Sequence, residues 1–174
     1  GWAWALKQPG GSDATATEYV RKLFRNVPVL DTGARGSLTT FAQRGIGDVL
    51  LAWENEAFLA VREAGGGKFE IVTPSISIRA APPVAVVEQV AKRHGTFEIA
   101  TAYVQFLYSE QGQRLAAKHF YRPALTELVP TAERRRFSAM RLFTIDEVFG
   151  GWDQVQRAHF DDGGVFDRIY QPGK

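Results

Sequence analysis

Apolar residues at positions 16, 19, 20, 23, 24 and 27 fall on one face of a 3.6-residue repeat. The spacing predicts a helix over residues 15–27, with Ser12 or Asp13 available as its cap. Residues 27–30 form a short apolar run broken only by Pro28 and read as a strand. A turn over residues 31–36 follows, then a helix of about two turns over 38–44, with Ser37 as N-cap and Gly45 at its end. Residues 49–52 are apolar on both faces and predict a strand delivering Trp53 at its C-terminal end. A helix over 56–64 is ended by Gly65-Gly66-Gly67. Strands are predicted at 69–72 and, after Pro82-Pro83, at 84–87, with an alternating extended segment at 75–78. Ala100, Tyr103, Val104, Leu107 and Tyr108 line one helix face, and Ser109 caps a further helix over 110–119. Thr144-x-x-Glu147 is a capping box. Ile145, Val148, Phe149, Trp152, Val155 and His159 continue it as an apolar stripe that Gly150-Gly151 is placed to kink. After a turn at Asp161-Asp162-Gly163-Gly164, Phe166, Ile169 and Tyr170 anchor the tail. Alternating strands and helices predict an α/β layered fold.

Composition adds bounds to this pattern. At 174 residues the chain is long enough to bury roughly 70 per cent of its unfolded surface. Hydrophobic residues make up 45% and charged residues 23%, ordinary for a globular domain. A net charge of +2 is too mild to argue for nucleic acid. The basic run Arg134-Arg135-Arg136 follows Glu133 and reads as a solvated helix face. There is no cysteine, hence neither disulfide nor thiolate metal site. No run approaches 18 apolar residues, and no signal peptide is recognisable, as in a mature or truncated product.

The chemistry concentrates in Asp31-Thr32-Gly33-Ala34-Arg35-Gly36-Ser37 and in Trp53. Gly33 and Gly36 are free to take positive φ. A strand, turn and helix start in that order aim backbone N–H groups and a positive helix end at one point. Trp53 adds an indole N–H, beyond a strand end where open α/β sheets bind ligands. Such donors suit holding an anion. The alternative is an ordinary strand-to-helix turn with Trp53 as core filler.

Other constellations are weaker. His94, His119 and His159 have no metal-ligand spacing, so neither metal nor cofactor is expected. Asp161 and Asp162 lack the spaced oxygens of a calcium loop. Glu54 and Glu56 could form a carboxylate pair for acid–base work, or favour the positive end of a helix. No Gly-x-Ser-x-Gly elbow occurs, and Trp2 and Trp4 read as core.

Several long motifs carry a specific resemblance. They are Asn26-Val27-Pro28-Val29-Leu30-Asp31-Thr32-Gly33-Ala34-Arg35-Gly36, Gln43-Arg44-Gly45-Ile46-Gly47-Asp48-Val49-Leu50 and Ala52-Trp53-Glu54-Asn55-Glu56-Ala57. They continue in Pro82-Pro83-Val84-Ala85-Val86-Val87, Tyr121-Arg122-Pro123, Leu142-Phe143-Thr144-Ile145-Asp146-Glu147-Val148-Phe149-Gly150-Gly151-Trp152 and Asp162-Gly163-Gly164-Val165-Phe166-Asp167. Across essentially its whole length the chain resembles the periplasmic sulfate-binding proteins of bacterial ABC importers. The resemblance implies a type II periplasmic binding fold, a two-lobe α/β sandwich of which this chain supplies parts of both lobes. Residues 1–72 would belong to the second lobe and carry the anion loop. Residues 73–125 would hold the crossover, near 73–83, and part of the first lobe, and 126–174 a C-terminal helical segment. It implies a non-catalytic sulfate receptor in the periplasm, partnered by the membrane permease. The backbone N–H of Ala34 and the indole N–H of Trp53 match sulfate donors. Arg35 matches an arginine that braces neighbouring peptide units, with Gly33 and Gly36 in support. Members are roughly twice this long. The part without a counterpart here is the N-terminal half, with a serine and a Ser-Gly-Gly turn that make most other contacts. Gly10-Gly11-Ser12 has those residue types in a different order and reads as a loop. The apolar start at Gly1-Trp2-Ala3-Trp4-Ala5-Leu6 reads as if cut inside a helix, so a C-terminal half is expected.

Sulfate at neutral pH carries no proton, so its ideal site offers donors only, and a facing carboxylate is an unpaired like charge. Asp31 and Glu54 flank the proposed donors and are expected to turn away, onto Arg35, a loop amide or a helix end. Rival readings are a binder of another oxyanion such as thiosulfate or molybdate, an enzyme using Glu54, Glu56 or His94 on an anionic substrate, and a half-chain whose exposed lobe faces pair with another chain.

Overall fold

The computed structural model describes residues 1–65 and 67–170. In chain order it comprises α1 (Trp2–Leu6), α2 (Asp13–Arg25), α3 (Ala34–Ala42), α4 (Glu54–Ala64) and β1 (Ile76–Ile78). Then come α5 (Glu88–Arg93), α6 (Phe97–Phe106), α7 (Glu110–Lys118), a 3-10 turn (Thr126–Leu128) and α8 (Thr131–Arg134). The chain closes with β2 (Arg141–Phe143), α9 (Ile145–Phe149), α10 (Trp152–Val155), a π turn (Gln156–Phe160) and α11 (Val165–Ile169). Helices combined with a parallel strand pair are α/β content. The third glycine of the expected stop after α4, Gly67, is described, but Gly66 lies outside the described residues.

The chain divides into two compact units, each taken by itself. One holds the described residues of Gly1–Leu50, Pro74–Ala80 and Met140–Lys174. Its helix α2 starts where Ser12 and Thr15 cap each other: the Ser12 hydroxyl accepts from the Thr15 amide at 3.3 Å, and the Thr15 hydroxyl accepts from the Ser12 amide at 2.8 Å. Ala3, Ala5 and Ala16 are buried, and their small side chains let α1 and α2 lie close. Trp4 packs on Tyr19 at 5.1 Å, and Phe24, Phe166 and Tyr170 form a ring cluster with centroids 5.3–5.8 Å apart. Trp2 meets His159 edge-on at 4.7 Å. β1 and β2 are parallel in the register Ile76↔Arg141, Ser77↔Leu142 and Ile78↔Phe143. The Thr144–Glu147 capping box forms as expected and opens α9, and Gly150 and Gly151, both at positive φ, break the helical stripe there.

The second unit comprises the described residues of Leu51–Thr73 and Ala81–Ala139. Ser109 caps α7 by accepting from the Gly112 amide at 3.1 Å. Gln113, buried on that helix, donates to the Leu107 carbonyl at 2.7 Å and accepts from the Leu125 amide at 2.9 Å. It thus ties the chain on both sides of α7 to the helix.

Four strand expectations are corrected. Residues 27–30, 49–52, 69–72 and 84–87 form no strand. Val49, Val72 and Val87 are 78%, 80% and 68% exposed. A strand exists only with a neighbour to complete its hydrogen bonds, and among the described residues these runs join no ladder. Only the 75–78 segment acquires a partner, over residues 76–78. The helix α5 went unread because its residues carry only one and a half turns of pattern.

Candidate functional site

The loop carrying the proposed donor starts its helix earlier than its glycines suggested. Gly33 is the N-cap of α3, and the first intrahelical bond runs from the Ser37 amide to the Gly33 carbonyl at 3.0 Å. Ser37 is therefore inside the first turn, where its hydroxyl donates to the same carbonyl at 3.3 Å. Gly33 has φ −168°, extended backbone open to any residue, and Gly36 does not take positive φ. The glycine freedom expected at 33 and 36 is needed instead at Gly45. There φ is +67°, which lets the Ile46 amide reach the Thr40 carbonyl at 3.2 Å and close the helix.

This shift of register puts Ala34 at the first helical position, where an N–H has no partner within the helix. Its amide makes no hydrogen bond among the described residues, and the residue is exposed. Arg35 and Gly36 follow in the same exposed first turn. The buried side of α3 is held by Leu38 and Thr40. Thr40 also restrains the nearby acid: its hydroxyl donates to Asp31 Oδ1 at 3.2 Å.

Trp53 lies in the other unit. It is the N-cap of α4, with extended dihedrals of φ −62° and ψ 147°, and its carbonyl accepts from the Ala57 amide at 3.0 Å. Its side chain is 56% exposed, and its indole N–H has no partner among the described residues. Trp53 is therefore not part of the core of this unit. Gly33, Ala34, Arg35 and Gly36 are contiguous in one unit, and Trp53 belongs to the other.

Glu54, one residue on, is gripped by Arg122: Nε donates to Oε2 at 3.0 Å and Nη2 to Oε1 at 2.6 Å. The carboxylate thus turns onto an arginine, though not the one anticipated. With both oxygens engaged by a guanidinium, it is poorly suited to act as a general base. Phe58, on the same helix, stacks on Phe120 and meets Phe137 edge-on. Arg122, Phe120 and Phe137 escaped the reading of the sequence as site-supporting residues. The only available signal was the Tyr121-Arg122-Pro123 motif. Among the described residues no group of three or more His, Asp or Glu side chains could hold a metal ion, and no helix is long and apolar enough to cross a membrane.

Comparison with known proteins bears on what these donors serve. Residues 5–122 match the family described as bacterial extracellular solute-binding protein. The chain is 54% identical over 168 residues to a sulfate-binding protein of Escherichia coli (strain K12), covering 97% of this chain and 51% of that protein. It is 48% identical over 171 residues to a thiosulfate-binding protein of Pseudomonas aeruginosa, covering 98% of this chain and 51% of the relative. A shorter match, 47% over 79 residues, links 43% of the chain to 22% of a sulfate/thiosulfate import ATP-binding protein of Cucumis sativus. The chain spans about half the length of the curated sulfate- and thiosulfate-binding relatives it matches. On the extent of the family match and the identity to these relatives, the chain belongs to the bacterial extracellular solute-binding protein family.

Proposed function

We propose that this chain binds sulfate, without reacting it, as part of a periplasmic receptor serving an ABC importer. The observation that carries the reading is a pair of exposed, unpartnered N–H groups, the Ala34 amide at the head of α3 and the Trp53 indole at the head of α4. Glu54, next to Trp53, is held by Arg122 on both carboxylate oxygens, while Asp31 accepts from Thr40 on Oδ1 and lies beside Gly36 of the first turn of α3. Neutral N–H donors favour a dianion that carries no proton. Gly33, Arg35 and Gly36 support the Ala34 peptide. The names of the relatives point to the same ligand class and to an import system with an ATP-binding component, and a membrane permease is the partner this reading gives the chain. The finer fold reading is a two-lobe type II binding protein whose closed, loaded form is offered to the permease.

Calorimetric titration of the chain with sulfate tests this reading. Trp53→Phe removes one donor and weakens binding by about 1–3 kcal/mol, whereas unchanged affinity rejects the role given to Trp53. A thiosulfate preference is the second reading, favoured by the 48% identity to a thiosulfate-binding protein. Competition between the two anions separates them.

A further inference from the structure

The side chain that follows Trp53 is a carboxylate, and a bare carboxylate beside a bound dianion is a repulsive neighbour. Arg122 answers that problem from 68 residues away in sequence. Its guanidinium makes a two-bond fork onto Glu54, with the nitrogen–oxygen distances of 3.0 and 2.6 Å given above. The same Nη2 donates to the Ser138 carbonyl at 3.0 Å, and the guanidinium carbon lies 5.3 Å from the centre of the Phe137 ring. Side-chain exposure is 31% for Arg122 and 27% for Glu54, so the pair is partly shielded from water. A fixed, bidentate, partly dry pair of this kind is stronger than a surface ion pair and holds its geometry.

We infer that Arg122 is a positioning residue for anion binding at Trp53. It draws the Glu54 carboxylate toward residues 122 and 138 and cancels its charge, so that this carboxylate is not left as a free acceptor beside the indole donor. The inference rests on the reading of Trp53 as a sulfate donor. A lysine does not replace the arginine here, because one ammonium cannot grip both carboxylate oxygens and the Ser138 carbonyl in the same plane.

The test uses this chain, its Arg122→Gln and Arg122→Lys variants, and the double variant Glu54→Gln/Arg122→Gln. The indole N–H resonance of Trp53 is assigned as the one missing from Trp53→Phe. Without ligand, Arg122→Gln shifts that resonance, and the double variant returns it toward the wild-type position. With sulfate, Arg122→Gln weakens binding by about tenfold or more, and the double variant recovers to within about threefold of wild type. Arg122→Lys, which keeps the charge and loses the fork, falls between, and it carries the test if Arg122→Gln fails to fold. A double variant as weak as the single one, or an indole resonance indifferent to Arg122, overturns the inference, since a merely structural arginine gives no recovery. Failure of the wild-type chain to bind sulfate contradicts the assignment of Trp53 instead, while the ligand-free resonance still judges the clamp.

Discussion

Phe120 stacks on Phe58 with ring centroids 5.5 Å apart and planes 22° from parallel, from a backbone at φ +68°. That region favours glycine, and a bulky residue held there is strained. The left-handed turn lets the Tyr121 amide reach the Ala116 carbonyl at 2.9 Å and ends α7, while the Arg62 and Arg136 guanidinium groups lie 5.1 and 5.5 Å from the ring centre. Phe120→Ala loses the stack and keeps the strain, costing about 2–4 kcal/mol. Phe120→Gly loses the same ring and relieves the backbone, so it is at least as stable as the alanine variant. Urea denaturation of both gives the order, and alanine above glycine contradicts the strain at this position.

At the other helix start, Ser12 and Thr15 satisfy each other's backbone amides. Ser12→Ala leaves the Thr15 amide without its side-chain acceptor and destabilises the unit containing α2 by about 1 kcal/mol. Ser12→Asp retains an acceptor and costs little. Thermal melts of the two variants distinguish a cap from an incidental contact.

His159 packs edge-on to Trp2 at 4.7 Å and to Phe149 at 5.9 Å. Burial among these rings pulls its pKa below the ordinary imidazole value of 6.5, partly opposed by the Asp13 carboxylate. The unfolded chain therefore takes up the proton first as pH falls. The stability contributed by neutral His159 is complete above about pH 6.5 and declines below it until the folded imidazole also protonates. The unfolding midpoint is expected to fall between pH 7.5 and pH 5 in the wild type. His159→Phe removes this contribution to the slope, and an identical pH profile in the variant refutes the assignment.

Gly45 closes α3 at φ +67°, with open space around it. Gly45→Ala meets no neighbour, so its cost is the left-handed backbone alone, about 1 kcal/mol. Gly33→Ala is the contrast: with extended backbone and no crowding it costs only the poorer N-cap preference of alanine, about 0.5 kcal/mol. Chemical denaturation of the pair tests whether the glycine that matters lies behind the helix rather than in front of it.

These contrasts show which features local sequence could reveal. The Ser12 and Thr144 caps depend on residues three positions apart, so they were legible. So were the stops at Gly45 and Gly65, where one residue in the left-handed region suffices. The head of α3 was misplaced because two glycines in Gly33-Ala34-Arg35-Gly36 imitate a turn, whereas the helix accommodates Gly36 and uses Gly33 as its cap. Residues 49–52 had the apolar pattern of a buried strand, but pattern cannot supply the neighbouring strand that makes one. Trp53 and Ala34 drew notice through their motifs, and both stand exposed at the head of a helix. The Arg122–Glu54 clamp joins distant residues, and neither carries a local signal of the other. The left-handed Phe120 was invisible for a different reason: aromatic side chains give no local cue for positive φ.

The most direct measurement is a sulfate titration of uniformly 15N-labelled chain, following the Ala34 amide and the Trp53 indole N–H together. Both resonances should move with sulfate along a single saturating curve, with one dissociation constant shared by the two. Sulfate-dependent shifts at other amides while these two stay fixed, or separate constants for the pair, would contradict the account.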